Sequence, residues 1–217
     1  MKLALVNPNT STAITDAMVR IAAETAGAWA TVEGHTATFG APLITEASTL
    51  AVAAEAVAAL APELGEADAV IVAAFGDPGL DALRAALAAP VTSIAEAGMA
   101  EAAEGGRRFA VVTTTPGLRD RIAETAARYG HRRFVGTWTT PGDPAALTAD
   151  APALEAALAG AVEQAVREGG VEAIVVGGGP LAQAARVLSA TAPVPLIEPL
   201  PAAVRLSLDR AMGGART

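Results

Sequence analysis

Two stretches decide the fold: ADAVIVAAFGDPG at 67–79 and VEAIVVGGGPL at 171–181. Each carries a short apolar, β-branched run straight into a loop of Gly, Pro and small residues. Such a run lacks the polar alternation of a half-buried strand and is too short for a helix, which is how a strand covered on both faces of a parallel sheet reads. The flanks repeat as well. KLALVNPNTS at 2–11 parallels RFAVVTTTPG at 108–117, and PVTSIAEA at 90–97 parallels PVPLIEPL at 193–200. Each series gives a strand, a loop rich in hydroxyl or amide groups, a helix, and a strand ending in glutamate, so the chain reads as a duplicated α/β unit.

The remaining periodicity fits that frame. Strands are expected at 3–6, 31–39, 69–74, 91–94, 109–113, 134–138, 173–176 and 194–197, and helices at 12–26, 50–60, 80–88, 118–129, 153–167 and 181–190. Thr10, Ser11 and Thr12 supply caps for the first helix, and Gly130 is a helix stop. The expected division is a first lobe over 1–97, completed by 199–217, and a second over 98–198.

Composition narrows the chemistry. The chain has 217 residues, 52% of them hydrophobic, with 21 Gly and 14 Pro and few aromatics, which suits short elements around an Ala, Val, Leu and Ile core. A formal charge of −8 argues against duplex nucleic acid or an anionic membrane as partner. The apolar run before Asn7-Pro8 is too short for a signal peptide, and no stretch is long enough to span a bilayer, so a cytoplasmic protein is expected.

Cysteine is absent, which removes disulfides, thiolate metal sites and thiol catalysis together. The two histidines, His35 and His131, show no metal-ligand spacing, so no metal is expected. Lys2 is the only lysine and precedes the first strand, away from where ligands bind, which disfavours Schiff-base chemistry. The Gly-x-Ser-x-Gly elbow of serine hydrolases does not occur. Chemistry is left to carboxylates, hydroxyls, amides and backbone N–H groups, with no cofactor expected.

Ligands of open α/β sheets bind beyond the carboxyl ends of the strands. The loops there are Asn7 to Ser11, Ala74 to Gly79, Thr113 to Thr115 and Gly177 to Pro180. Asn7, Asn9, Thr10 and Ser11 can bind a carboxylate or imide, or simply start the helix. Thr113, Thr114 and Thr115 can hold the other end of a small polar substrate. Ala74, Phe75 and Gly76 line the second loop, and Gly178, Gly179 and Pro180 can bring N–H donors to an oxyanion. Asp77 orients a ligand, acts as a base, or makes a turn ahead of Pro78. Glu96 and Glu198, read as the ends of equivalent strands, are the paired carboxylates for acid/base work if their surroundings raise a pKa; solvated strand ends are the alternative. The charges around 101–108 and 119–121 read as solvated surface, and Trp29, Phe39, Tyr129 and Trp138 as packing or interface residues.

NPNTS, AFGDPGLDALR, SIAEA, GRRFAVVTT and VVGGGPLA, in this order over about residues 2–210, resemble the aspartate/glutamate racemase superfamily, and within it the hydantoin racemases. The resemblance implies two pseudo-symmetric, flavodoxin-like lobes with parallel sheets and an active-site cleft between them. It also implies cofactor-independent proton transfer at a carbon acidified by a carbonyl, one cysteine serving each face of the substrate. Those cysteines would stand where this sequence has Ala74 and Gly178. Neither side chain can accept or deliver a proton, so the two-thiol reaction cannot run here. The expectation is a thiol-free isomerase or lyase acting on a small carboxylate or cyclic amide through an enolate-like intermediate, with self-association into a homo-oligomer. The alternative is a silent relative that binds a metabolite or protein partner.

Overall fold

The computed structural model describes residues 1–214. The described residues form two compact units: Met1–Ile44, Ser48–Ala97 and residues 200–214 make one, and Thr45–Ala47 with Gly98–Pro199 make the other. Of the stretch 199–217 expected to complete the first lobe, residues 215–217 lie outside the described residues.

In the first unit, β1 (Lys2–Asn7), β2 (Thr31–Thr36), β3 (Ala69–Val72) and β4 (Val91–Ser93) form a parallel sheet in the order β2-β1-β3-β4. The central strands β1 and β3 are buried almost throughout, whereas the edge strand β2, TVEGHT, is only partly covered. That contrast follows from the helices on both faces of a parallel sheet. α1 (Thr12–Ala26) starts at Ser11, whose hydroxyl accepts the Ile14 N–H at 3.4 Å. α2 (Ala47–Ala59), the Leu60 just beyond it and α3 (Leu80–Ala86) set Val57, Leu60, Leu80 and Leu83 against Val6, Val70 and Val72 of the sheet. α4 (Ile94–Ala102) follows β4 without a loop, and α9 (Pro199–Gly214) is the last of the described helices.

The second unit repeats the plan. β5 (Phe109–Thr113), β6 (Phe134–Thr139), β7 (Ala173–Val176) and β8 (Leu196–Ile197) are parallel in the order β6-β5-β7-β8. α5 (Arg119–Arg128), α6 (Pro144–Ala149), α7 (Ala151–Gly169) and α8 (Ala182–Ser189) complete it. Leu154, Leu158 and Val162 of α7 cover Ala110, Val112, Ile174 and Val176. Asp150 caps α7, ahead of a proline in its first turn, and the left-handed Gly170 ends it.

The duplication extends to single hydrogen bonds. Ala73 N donates to Val6 O, and Gly177 N to Val112 O, both at 2.8 Å. Ala37 N donates to Asn7 O, and Thr140 N to Thr113 O, both at 3.0 Å. At the other end of the sheets, the N–H of Lys2 meets the Asp68 carboxylate at 2.7 Å and that of Arg108 meets Glu172 at 2.8 Å. Ala74 and Gly178 therefore occupy matching positions.

Several expectations are corrected here. The strand expected over 31–39 stops at Thr36, ahead of a turn through Gly40, whose φ is 111°. The one expected over 91–94 stops at Ser93, because the Ser93 hydroxyl accepts the Glu96 N–H at 2.9 Å and caps α4. Helices α4, α6 and α9 were not expected; in α6 and α9, proline in the first turn, where its missing N–H costs nothing, read as loop punctuation, and α4 follows β4 with no loop to announce it. Glu96 and Glu198 do not end equivalent strands. Val70 N donates to Pro90 O and Ile174 N to Pro195 O, each at 3.0 Å, which matches Glu198 with Ser93. Aligning the first Pro-Val of PVTSIAEA with that of PVPLIEPL slips the register by two residues.

Candidate functional site

In each sheet the strand order reverses next to the first strand: β1 lies between β2 and β3, and β5 between β6 and β7. The crevice of an open α/β sheet lies at that reversal, outside the carboxyl ends of the two strands. The four loops singled out from sequence follow β1, β3, β5 and β7.

After β1, the chain is held by its own side chains. Asn7 is fully buried, its Nδ2 within 2.9 Å of Asn9 Oδ1, 3.1 Å of Ser11 O and 3.0 Å of Thr15 Oγ1. Asn9 N donates back to Asn7 Oδ1 at 3.2 Å, and Asn9 Oδ1 accepts the Ser11 N–H at 3.0 Å. Thr15 reaches Thr36, oxygen to oxygen, at 2.6 Å. Asn7 thus frames the loop, while Thr10 and Ser11 are partly exposed, the Thr10 N–H donating to Ala41 O at 3.1 Å.

After β3, Ala74 is half-buried and Phe75, Gly76, Asp77 and Pro78 are buried. Asp77 adopts the left-handed region at φ 57° and accepts the Ser93 hydroxyl hydrogen bond at its carboxylate. Among the described residues it is the only non-glycine with positive φ, a conformation Asp tolerates better than most. Gly79, at φ 71°, starts α3 where a Cβ would lie 2.7 Å from Val57 Cβ and 2.9 Å from Ala54 O, so only glycine lets the loop pass α2.

In the second unit, Thr113, Thr114 and Thr115 are all buried, and the hydroxyls of Thr113 and Thr115 are 3.0 Å apart. Beside them, Thr140 is buried at the end of β6. After β7, Gly177 is buried and Gly178, Gly179 and Pro180 are half-buried; Gly179–Leu181 makes a single tight turn before α8. Gly178 has φ 144° and ψ 132°, a backbone that L side chains rarely adopt. A Cβ there would also press on Leu181 at 3.3 Å.

The two glutamates are tied down by arginines. Glu96, in the first turn of α4, receives Arg84 Nη2 at 2.8 Å and Arg210 at 2.7 and 3.0 Å. Burial works to raise its pKa, but the Arg210 hydrogen bond, the charges of Arg210 and Arg84, and a backbone bond from Ser93 outweigh it and hold the carboxyl below its ordinary range. The raised pKa expected for a general acid is not found there. Glu198 accepts Arg186 Nε at 2.9 Å just beyond β8.

Neither histidine joins these loops. His131 packs edge-on against Phe109, 5.4 Å between centroids, and burial pushes its pKa down. His35 lines a recess with Lys2, Glu33, Glu63 and Glu66. Among the described residues, no three His, Asp or Glu side chains are placed to hold a metal ion.

The residues 3–207 match the family model described as Asp/Glu/Hydantoin racemase. The chain belongs to that family. A hydantoin racemase from Paenarthrobacter aurescens is 30% identical over 216 residues, covering 95% of this chain and 89% of the relative. Among solved structures, allantoin racemase from Klebsiella pneumoniae superposes with a TM-score of 0.91 at 29% identity, covering 99% of this chain and 89% of that one. Allantoin racemase from Pseudomonas fluorescens gives 0.93 at 28%, covering 99% and 92%. As a member of the racemase family with two parallel α/β units, the chain is a relative of enzymes that act on small molecules. No described helix is long and apolar enough to cross a membrane.

Sequence reasoning missed Thr15, Thr36, Ser93, Thr140, Arg84 and Arg210. Ser93 had a local signal, the Ser-x-x-Glu capping pattern at 93–96. Arg210 had none, lying 114 residues from the glutamate it holds.

Proposed function

We propose that this chain is a thiol-free member of the racemase family that acts on a small cyclic amide or carboxylate by isomerase or lyase chemistry through an enolate-like intermediate. The observation that carries this reading is the character of the four loops: amides, hydroxyls and backbone N–H groups at the strand-order reversal of each sheet, with alanine and glycine at the two matching positions. Asn9, Thr10 and Ser11 in the first unit and Thr113, Thr114 and Thr115 in the second are the polar groups available to hold substrate. The C–H bond next to the carbonyl breaks, its electron pair moves onto the carbonyl oxygen, and loop N–H groups, those near Phe75 in one unit or near Gly179 in the other, stabilise that oxyanion. Water or the Asp77 carboxylate takes the proton and returns one to carbon; Glu96 and Glu198 stay with their arginines.

The test is deuterium incorporation at the acidic carbon, with optical rotation in parallel, across hydantoins, allantoin, amino acids, arylmalonates and hydroxy acids. Exchange with one class is expected, falling on the order of tenfold or more in Asn9→Ala. A second reading, a silent binding protein, is favoured by the engagement of all three candidate carboxylates in ion pairs or hydrogen bonds. Binding without exchange or turnover throughout the panel would establish it.

A further inference from the structure

The amino ends of the two sheets, remote from the loops above, are built alike but charged oppositely. In the first unit, Glu33, Glu63 and Glu66 share with Lys2 and His35 a recess of about 160 Å³. Asp68 borders an adjoining recess beside Met1 and Lys2. The cations there are Lys2, 3.2 Å from Glu66, and the terminal ammonium, which donates to Trp29 O at 3.2 Å. Glu66 is 90% exposed and Glu63 62%. Trp29, just before β2, is 68% exposed, the largest apolar side chain left open among the described residues.

In the second unit, Arg108 precedes β5, Arg132 and Arg133 precede β6, and Arg128 ends α5, all exposed. Glu172, ahead of β7, lies 3.7 Å from Arg133 and accepts the Arg108 N–H. Lys2 and Arg108 match, as do Asp68 and Glu172. The surplus charge comes from the unmatched positions: glutamates in one unit, arginines in the other.

We propose that these ends are complementary faces of a head-to-tail contact between copies of this chain, the arginine end of one copy seated on the Trp29 and glutamate end of the next. The charge complementarity selects a second copy as occupant. Arg132 and Arg133 bring guanidinium groups that pair with Glu63 and Glu66 and stack on the open indole of Trp29, the side-chain types that dominate interface energies. Because the two faces differ, the contact is heterologous and closes into a ring or grows as an open chain. This inference is independent of the catalytic reading.

Sedimentation velocity on the full chain, at about 20 mM and about 500 mM salt, tests it. Multimers that weaken at least tenfold in the high salt are expected. Arg132→Glu with Arg133→Glu should weaken self-association on the order of a hundredfold, and Glu63→Arg with Glu66→Arg should do the same. Mixing the two doubly reversed proteins should restore assembly, because one then carries two acidic ends and the other two basic ends. Restoration also shows that both variants are folded. A monomer at all salts, assembly unmoved by either reversal, or a mixture that fails to reassemble while circular dichroism shows folded protein would each overturn the proposal. Loss of pyrophosphate binding on reversing the arginines, with self-association unchanged, would overturn it in favour of an anion site.

Discussion

Glu96 and Glu198 look like one residue copied twice, each held by an arginine of the preceding helix, yet they stand at different places in their units. Glu198 continues β8 directly and occupies the position of Ser93; Glu96 sits in the first turn of α4 and gathers a second arginine from α9. The strand frame was copied bond for bond, but the ion pairs hung on it were not. What is shared between the units is dictated by backbone hydrogen bonding; what differs lies in side chains that no ladder constrains. The same holds at the loops, where Ala74 and Gly178 match in position but differ in backbone conformation.

The largest effect should come from asking how much each loop depends on glycine. Gly79→Val puts a branched side chain at φ 71° against Val57 and the Ala54 carbonyl, and backbone cannot step aside cheaply. Overpacking and left-handed strain together should cost about 3–5 kcal/mol in chemical denaturation. At Gly178 an added Cβ meets only the flexible end of Leu181, so Gly178→Ala should cost several-fold less, mostly backbone strain. Equal losses at the two sites would break the distinction between a loop pinned by packing and one merely shaped by glycine.

Much of this was legible in sequence because buried parallel strands announce themselves. The runs at 109–113 and 173–176 coincide with β5 and β7 to the residue, since each strand is covered on both faces and preceded by a charged residue. The four loops could be named because they follow those strands. What stayed hidden was long-range or masked by proline. Nothing local marks Arg210 as the partner of Glu96, α9 starts on a proline, and the Pro-Val-Pro ahead of β8 invited the wrong register. The αL conformation of Asp77 was equally hidden, because Asp-Pro admits a turn, a cap or a ligand contact.

The next effect sharpens the comparison of the carboxylates. Glu96 is 15% exposed at its side chain and balances two arginines, so Glu96→Gln strands two guanidinium groups and should cost about 2–3 kcal/mol at neutral pH. Its pKa is held below the ordinary value near 4.5, so the stabilisation is fully present above that pH. It fades as pH falls through the depressed value. Denaturant titrations of wild type and variant should therefore differ by a constant amount from neutrality down to about pH 4.5 and converge below it. A gap that widened on acidification would mean that Glu96 is held protonated, and the ion-pair reading would fail.

The smallest effect belongs to Glu198. It is 22% exposed, and Arg186, 32% exposed, is the cation 2.9 Å from it. A partly solvated pair of this kind contributes about 0.5–1 kcal/mol, because water recovers much of what each partner loses. Glu198→Gln should lower stability by that amount, and a cycle with Arg186→Ala should give a coupling of the same size. The corresponding cycle between Glu96 and Arg210 should give a coupling at least twice as large, since that pair shares two hydrogen bonds and a third charge in Arg84. If the two cycles agreed within error, the second arginine would add nothing. The copies would then be energetically alike in spite of their different places in the fold, and the backbone alone would account for what the two units have in common.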